Sequence, residues 1–474
     1  MKLIVCLAFA LGLAGCANRQ PAPALALESR AGQPTTLDLP PQIANFLAEK
    51  ERHTHILKRQ LKVQVHDDYW TFFRQARRGD WPATSKLYES LKERVALGKG
   101  STNDAGLDRI VWQTVVEAKM VFEYYTPSNN APKWSTAFGE AVAKSIPRGS
   151  IYFGGSGPGR VLPSAFSMSR VGGGAPFYTL AQSVLADGSY LNYIRDIHGA
   201  EIQLPSDEDS QRCFNAYLDD AQKRLQHDRN FPNEPRQLKP GEDVSIENNK
   251  VNVGGHVAVM GINALLTKVI FDRNPEREFY VEESFPLDWM YPHLTPHGFI
   301  TKLNHEPLNT LPVEVVTKDH EFWNRQLAAM IGDWLVVETS VKEVCDFVEK
   351  VLLRRDLSGF RGDISFVRSD GTTRMYSKLR GSIGGLYMWR IQNAKSPDEQ
   401  QRMIKEADFA FRQSFALCPF SPEAIFRYVN LLVQLQRIDD ALLIARTAER
   451  LNPKDPQLLN LISELERIRN AQPR

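Results

Sequence analysis

"IYFGGSGPGRVLP", Ile151 to Pro163, joins a short apolar run to a glycine-rich corner and then to a single arginine. Ile151 to Phe153 read as a buried strand, and the glycines mark its end. A strand that passes through such a corner into a helix is the opening of a βαβ unit. The residues that follow agree with this. Phe177 to Leu185 read as a strand, Tyr190 to His198 as a helix and Val257 to Phe271 as a second, strong helix. "REFYVEES", with Phe279 and Val281, and "GFITKLN" read as further strands. The alternation predicts an α/β, Rossmann-like domain over residues 146–317, with a mainly parallel sheet covered by helices. The polar stretch Asp228 to Asn249 reads as a surface excursion ending in a small β-turn element.

The glycine loop itself is not a nucleotide motif. Gly154, four residues and Gly159 satisfy the outer spacing of a P-loop, but Arg160 and Val161 stand where lysine and a magnesium-holding hydroxyl are required. Pro163 would fall inside the helix that a P-loop opens, so the helix is expected to begin near Leu162. The dinucleotide spacing GxGxxG is absent as well. What remains is position: open α/β sheets bind ligands at strand C-termini. Backbone N–H groups at Gly155, Ser156, Gly157 and Gly159, together with Arg160, suit a carboxylate, a phosphate or a sugar acid. The competing reading is a tight corner in which Arg160 makes a structural salt bridge.

A second cluster lies in "FYVEESFPLDWMYPHLTPHG". Glu282 and Glu283, at a strand end, are the candidate acid/base residues, with Asp288, His293 and His297 close behind. Two histidines spaced i,i+4 can share a helix face, but Pro296 lies between them and opposes one regular helix. Local hydrogen bonding by the histidines, with Trp289, Met290 and Tyr291 as core, is the plainer reading. No metal and no cofactor is implied. A nucleophile elbow of the form G-x-S-x-G does not occur after a strand, and Arg361-Gly362-Asp363 is too short a match to carry meaning.

The N-terminus gives an address. Lys2 precedes an apolar run from Leu3 to Leu13, which ends in Leu13-Ala14-Gly15-Cys16. That is the layout of a cleavable export signal over residues 1–15, and the four residues resemble a bacterial lipobox. Cys16 would then carry acyl chains, each buried methylene contributing about 0.8 kcal/mol to anchoring. Residues 16–41, rich in Pro and Ala, suit a flexible tether. Ala17 after the cysteine resembles the pattern sent to the periplasmic face of the outer membrane in a Gram-negative cell. No later stretch approaches the roughly 20 apolar residues of a transmembrane helix. With a net charge of +2 and no basic block, nucleic acid is not an expected partner. Cys213, Cys345 and Cys418 form neither a disulfide framework nor a metal pair and read as buried thiols.

The remainder is helical. Residues 42–145 read as helices, and residues 318–373 as a helical connector in which Ser340 and Glu343 form a capping box. Residues 374–474 read as helical hairpins. "PEAIFRYVNLLVQLQRIDDALLIARTAERLNP", Pro422 to Pro453, resembles a tetratricopeptide repeat, with Tyr428, Leu432, Ala441, Ala445, Ala448 and Pro453 at its small and large positions. A stretched copy lies upstream in "SKLRGSIGGLYMWR" and "EADFAFRQSFALCP", its helices separated by a longer loop around "NAKSPDEQ". Leu458 to Ile468 would be the end helix. Arg427, Asn430 and Gln434 are candidate groove contacts for a protein partner.

"IYFGGSGPGR", "LADGSYLNYIRDIHG", "EFYVEESFPLDWMYPHLTPHGFITKLN" and "SKLRGSIGGLYMWR" together resemble a poorly characterised bacterial family related to protein O-mannosyltransferases. They match the soluble region that follows the membrane helices there, over roughly Ser145 to Pro453, and free-standing relatives carry tetratricopeptide repeats. Relatives often read Gly-Gly-Thr-Asp-Pro-Gly-Arg at the loop; here Ser156 and Gly157 replace the threonine and aspartate. The membrane transferase module is absent, so the resemblance implies no transferase activity. The expected function is a lipid-anchored envelope protein that binds or scaffolds partner proteins, with envelope glycan assembly as a setting. The alternative is an enzyme acting on a glycan or a phosphorylated small molecule at the Gly154–Arg160 loop.

Overall fold

The computed structural model describes residues 36–97, 108–125, 131–155, 157–168, 177–247, 250–282 and 287–471. Helix dominates, at 68%, around a small mixed sheet of five strands. The chain divides into two compact units. One is Gln182–Pro275 among the described residues, and the other combines Pro34–Ala181 with Glu276–Arg474.

The larger unit opens with α1 (Pro41–Gln60), α2 (Asp67–Arg77), α3 (Trp81–Leu97), α4 (Arg109–Glu123) and α5 (Pro132–Ser145). Along α1, Ile43, Phe46, Leu47, Thr54 and Leu57 recur at helical spacing and are buried. Asp108 caps α4 by accepting from the Ile110 and Val111 N–H groups. The buried face of α4, with Val111, Val115, Ala118 and Phe122, lies in the layer that packs on α1.

The next elements are β1 (Ser150–Gly154), α6 (Pro158–Met168) and β2 (Phe177–Ala181). The smaller unit then supplies α7 (Gly188–His198), α8 (Asp207–Asn230), β3 (Asp243–Glu247), β4 (Lys250–Gly254) and α9 (Gly255–Arg273). The larger unit resumes with β5 (Phe279–Glu282), β6 (Leu294–His297) and β7 (Ile300–Leu303).

The sheet order is β2-β1-β5-β7-β6. β1 runs parallel to β2 and β5, pairing Gly154 with both Ala181 and Glu282. β7 is antiparallel to both β5 and β6. The sheet is therefore mixed rather than mainly parallel. The reason is local: only Gly298 and Phe299 separate β6 from β7, Gly298 has φ +63°, and so short a link returns the chain antiparallel.

The helix after β1 also departs from expectation. α6 starts at Pro158, and Pro163 lies inside it rather than near its start. Proline has no N–H for the carbonyl four residues back, which here is Gly159. The Tyr152 hydroxyl on β1 donates to that carbonyl at 2.6 Å. The strand thus supplies the bond that the proline withholds.

After β7 come α10 (Val313–Ile331), α11 (Val341–Phe347), α12 (Ile364–Val367) and α13 (Asp370–Asn393). α14 (Pro397–Leu417), α15 (Pro422–Gln434), α16 (Ile438–Leu451) and α17 (Pro456–Ala471) complete the chain. The Ser340–Glu343 capping box forms as the spacing requires. The long loop expected around "NAKSPDEQ" does not: α13 and α14 are joined by residues 394–396 alone, because Ser396 caps α14 and Pro397 starts it. From α13 onward each helix packs on the next, and α13 also touches α15. A Cβ on Gly384 would stand 2.9 Å from the Phe411 ring, so this glycine lets α13 and α14 approach. At the base of the array the fully buried Arg380 Nη1 donates to Asp319 Oδ2 at 2.8 Å, and the Tyr387 hydroxyl donates to the same oxygen at 2.7 Å.

In the smaller unit, Asp187 caps α7, and Ser206 with Asp209 forms a capping box on α8. The excursion ends in the antiparallel β3–β4 hairpin. Tyr217, Ala221 and Ala258 form its core, packed by Val244, Val253, Ile262 and Leu265. The buried Asn263 donates to the Ser183 carbonyl and accepts from the Ala186 N–H, both at 2.8 Å. α9 is long and apolar enough to cross a membrane by length and composition, with mean hydropathy 1.2 and 33% of that window buried. It is the exception to the expectation that no stretch after the N-terminal apolar run reaches that length. Cys213, Cys345 and Cys418 are buried free thiols.

Candidate functional site

Strand β1 delivers the chain to the loop at Gly154, and α6 turns back immediately. A Cβ on Gly154 would lie 2.8 Å from the Arg160 Cα, so the glycine is what allows so tight a return. Gly157 takes φ +71°, the left-handed region. The parallel pairing of β1 and β5 places Glu282 beside Gly154, at the C-terminal ends of the two strands where the loop lies.

The Glu282 carboxylate fills the corner. Its Oε2 accepts from the Gly155 N–H at 3.1 Å, and a Cβ on Gly159 would come within 1.6 Å of that oxygen. Lys378 of α13 sets its Nζ 3.7 Å from the other carboxylate oxygen. Glu282 is 4% exposed, so the loop encloses a carboxylate of its own chain. The Tyr124 hydroxyl borders the same loop, 2.6 Å from where a Gly157 Cβ would be. Burial pushes the Tyr124 phenol above its ordinary range; Glu123 adds to this and Lys378 opposes it.

Arg160 reaches α4. Its Nη2 lies 3.4 Å from Glu117 Oε1, while Lys50 Nζ lies 2.5 Å from Glu117 Oε2. Lys50, Glu117 and Arg160 are all buried. Both cations depend on this one carboxylate, since a buried charge without a counter-ion is strongly destabilising. One turn further along α1, His53 Nε2 lies 3.1 Å from Glu49. Burial lowers the pKa of His53, and the bond to Glu49 opposes that shift.

Of the sequence candidates, Gly155, Gly157, Gly159 and Glu282 are brought together, and Arg160 is paired with Glu117. Ser156, Glu283 and Cys16 lie outside the described residues. His293 Nδ1 is 2.9 Å from the Asn304 carbonyl, and His297 Nε2 is 3.0 Å from the Ser145 carbonyl. The two histidines therefore meet backbone oxygens, and among the described residues no group of three or more His, Cys, Asp or Glu is placed to hold a metal. Tyr291 stacks on Trp389 and Met290 is buried, as packing residues.

In the helical array, Arg427 Nη1 donates to the Gly381 carbonyl at 3.0 Å, tying α15 to α13. Gln434 donates to Asn430 at 3.2 Å on the exposed side of α15. Asn430 and Gln434 are thus presented outward, whereas Arg427 is engaged within the array.

No protein family, curated protein or solved structure matches this chain.

Sequence reasoning missed Lys50, Glu117, Tyr124, Tyr152 and Lys378. A signal existed for two of them. Lys50 stands in register with Phe46, Leu47, Thr54 and Leu57, and Glu117 with Thr114, Ala118 and Val121. Charged residues in a buried register are rare unless paired. Chemically, the arrangement holds an anion against a glycine-loop amide and a lysine, and the anion it holds is Glu282.

Proposed function

We propose that this chain is a lipid-anchored envelope protein that acts as a binding module, presenting its C-terminal helices to a partner protein. The observation that carries the reading is the serial packing of α13 to α17. α13/α14 and α15/α16 act as two tetratricopeptide-type hairpins, α13 against α15 supplies the contact between first helices, and α17 closes the stack. Buried Ala441, Ala445 and Ala448 support the close approach within the second hairpin. The parallel trio β2-β1-β5, with its glycine corner after β1, supports a Rossmann-like reading of the sheet that carries the array. The Leu13-Ala14-Gly15-Cys16 sequence supports the anchor.

The enzyme alternative draws less support. An anionic substrate at the loop would first have to displace Glu282 from the Gly155 N–H and draw Arg160 from Glu117.

The test is in-membrane crosslinking and affinity purification of the full chain, alongside Asn430→Ala/Gln434→Ala and Cys16→Ala variants. A protein recovered with wild type and lost with the α15 variant supports the reading. Recovery of the same set from an unrelated lipoprotein would sink it. Cys16→Ala is expected to release the chain from the membrane fraction.

A further inference from the structure

The first two helices share a cationic face that plays no part in the reading above. Residues 51–78 hold seven Lys and Arg against three Asp and Glu, a net of +4, while the whole chain carries only +2. Neither helix contains a run of like charge. The face exists because α2 packs beside α1. Glu51 of α1 lies 3.1 Å from Arg77 of α2, and His55 stacks on Trp70 with ring centroids 4.3 Å apart. Lys58 Nζ stands 6.0 Å from the centre of the same indole. Lys62 lies just past the end of α1, and Arg74 is one turn along α2 from Trp70.

These cations are open to solvent. Lys58, Lys62, Arg74 and Arg77 are exposed, and Trp70 is half-buried beside them. Of the three acids, Arg77 holds Glu51, and Arg94 holds Asp68 at 2.9 Å. Asp67 sits in the first turn of α2, where a carboxylate favours the helix dipole. Among the described residues, Lys58, Lys62 and Arg74 have no ion-pair partner. The chain ahead of α1 meets this face at a fixed point. The Leu37 N–H donates to the Gly79 carbonyl at 2.8 Å and Thr36 bridges Asp80, so that segment joins the fold directly after Arg77 and Arg78. Cys16 stands 20 positions before Thr36, a span of at most about 70 Å.

We propose that this face of α1 and α2 docks on an anionic phospholipid bilayer, its cations on headgroup phosphates and Trp70 at the interface. The occupant rests on the lipid-anchor reading above, which puts one end of the tether in a bilayer while the other end meets the fold beside Arg77 and Arg78. Charge selects the lipid, because clustered Lys and Arg are drawn to acidic headgroups, and an indole suits the headgroup level. A weak contact is sufficient, since the tether makes the second binding event intramolecular.

The lipidated full chain is reconstituted into phosphatidylcholine vesicles with or without about 30% phosphatidylglycerol, and its lysines are footprinted with an amine-reactive acetyl ester. Lys58 and Lys62 should label about threefold more slowly on the anionic vesicles, and high salt should remove the difference. Lys342 on α11, its side chain 74% exposed, should label equally on both. Arg59→Glu/Arg74→Glu should abolish the protection and leave the melting temperature nearly unchanged, since both side chains are exposed. The Cys16 peptide in the same digest reports acylation, so failure of the anchor and failure of the face are read apart. An unacylated chain is footprinted with the same vesicles added in excess, and the same outcomes decide. Equal labelling of Lys58 and Lys62 on both vesicle types, protection that survives the double variant, or equal protection by duplex DNA added to the uncharged vesicles would each overturn the proposal.

Discussion

The Tyr152 hydroxyl occupies the place of the N–H that Pro163 lacks, donating to the Gly159 carbonyl from the neighbouring strand. Strand and helix are locked at the point where the glycine loop lies between them. Tyr152→Phe leaves a buried carbonyl unsatisfied and should cost about 1–3 kcal/mol. Pro163→Ala returns a helical donor to that carbonyl, so it should recover much of the loss in the Tyr152→Phe background. Denaturant midpoints of the four proteins measure the coupling, and strictly additive effects would show that the two residues do not share the carbonyl.

Gly159 has no room for a side chain. Any Cβ there runs into Glu282, whereas one on Gly188 meets nothing within 4 Å. Gly159→Ala should therefore destabilise by about 1–3 kcal/mol through overpacking, and Gly188→Ala should leave the melting temperature nearly unchanged. Equal melting temperatures for the two variants would refute the account of the loop.

Asp319 and Arg380 form a fully buried ion pair. Removing the acid with Asp319→Ala strands a buried guanidinium, at a cost of about 3–5 kcal/mol. Replacing both, as Asp319→Leu with Arg380→Met, should be much milder. Thermal melts of the single and double variants decide this, and a double variant as unstable as the single one contradicts it.

Glu242 gives the smaller unit a dependence on acid. Burial alone would raise its pKa, but hydrogen bonds from Arg224 and Tyr217 outweigh that and hold it at about 2, against an ordinary value of 4.5. A carboxyl depressed by folding contributes stability that is complete above its unfolded pKa and is lost as pH falls through the folded one. Protection of hairpin amides in β3 and β4 should thus decline as pH falls from about 4.5 to about 2. Hydrogen exchange compared at each pH between wild type and Glu242→Gln isolates the effect, since the variant should lack the decline. Parallel profiles would rule it out.

Most helices were legible because caps and periodicity are local. Ser340 and Glu343 announced α11, and Tyr428, Ala441 and Ala448 announced the last hairpin. The glycine corner and the three strands that meet at it were legible too, as an apolar run with punctuation. Strand direction was not, because β6 lies in "LTPH", a short segment with a proline that propensity does not favour. The start of α6 was misplaced for a related reason. Part of the cost of Pro163 inside a helix is the carbonyl it leaves unmatched, and here the match is a tyrosine hydroxyl on a strand. The site showed the same division. Glu282 and the glycines could be named from position, but Glu117, Lys50 and Lys378 reach Arg160 and Glu282 through tertiary packing, which no window of sequence contains.

The row Lys50, Glu117, Arg160 has a mechanical consequence. The chain ahead of Pro41 is pinned where the Leu37 N–H meets the Gly79 carbonyl, and behind that pin Lys50 on Glu117, with Thr54 on Thr114, gives α1 a buried polar grip on α4. Glu117 passes that grip to Arg160 on α6, whose first turn closes the glycine corner. The three side chains thereby couple α1, α4 and the glycine corner, so that none of the three can shift without breaking a buried ion pair.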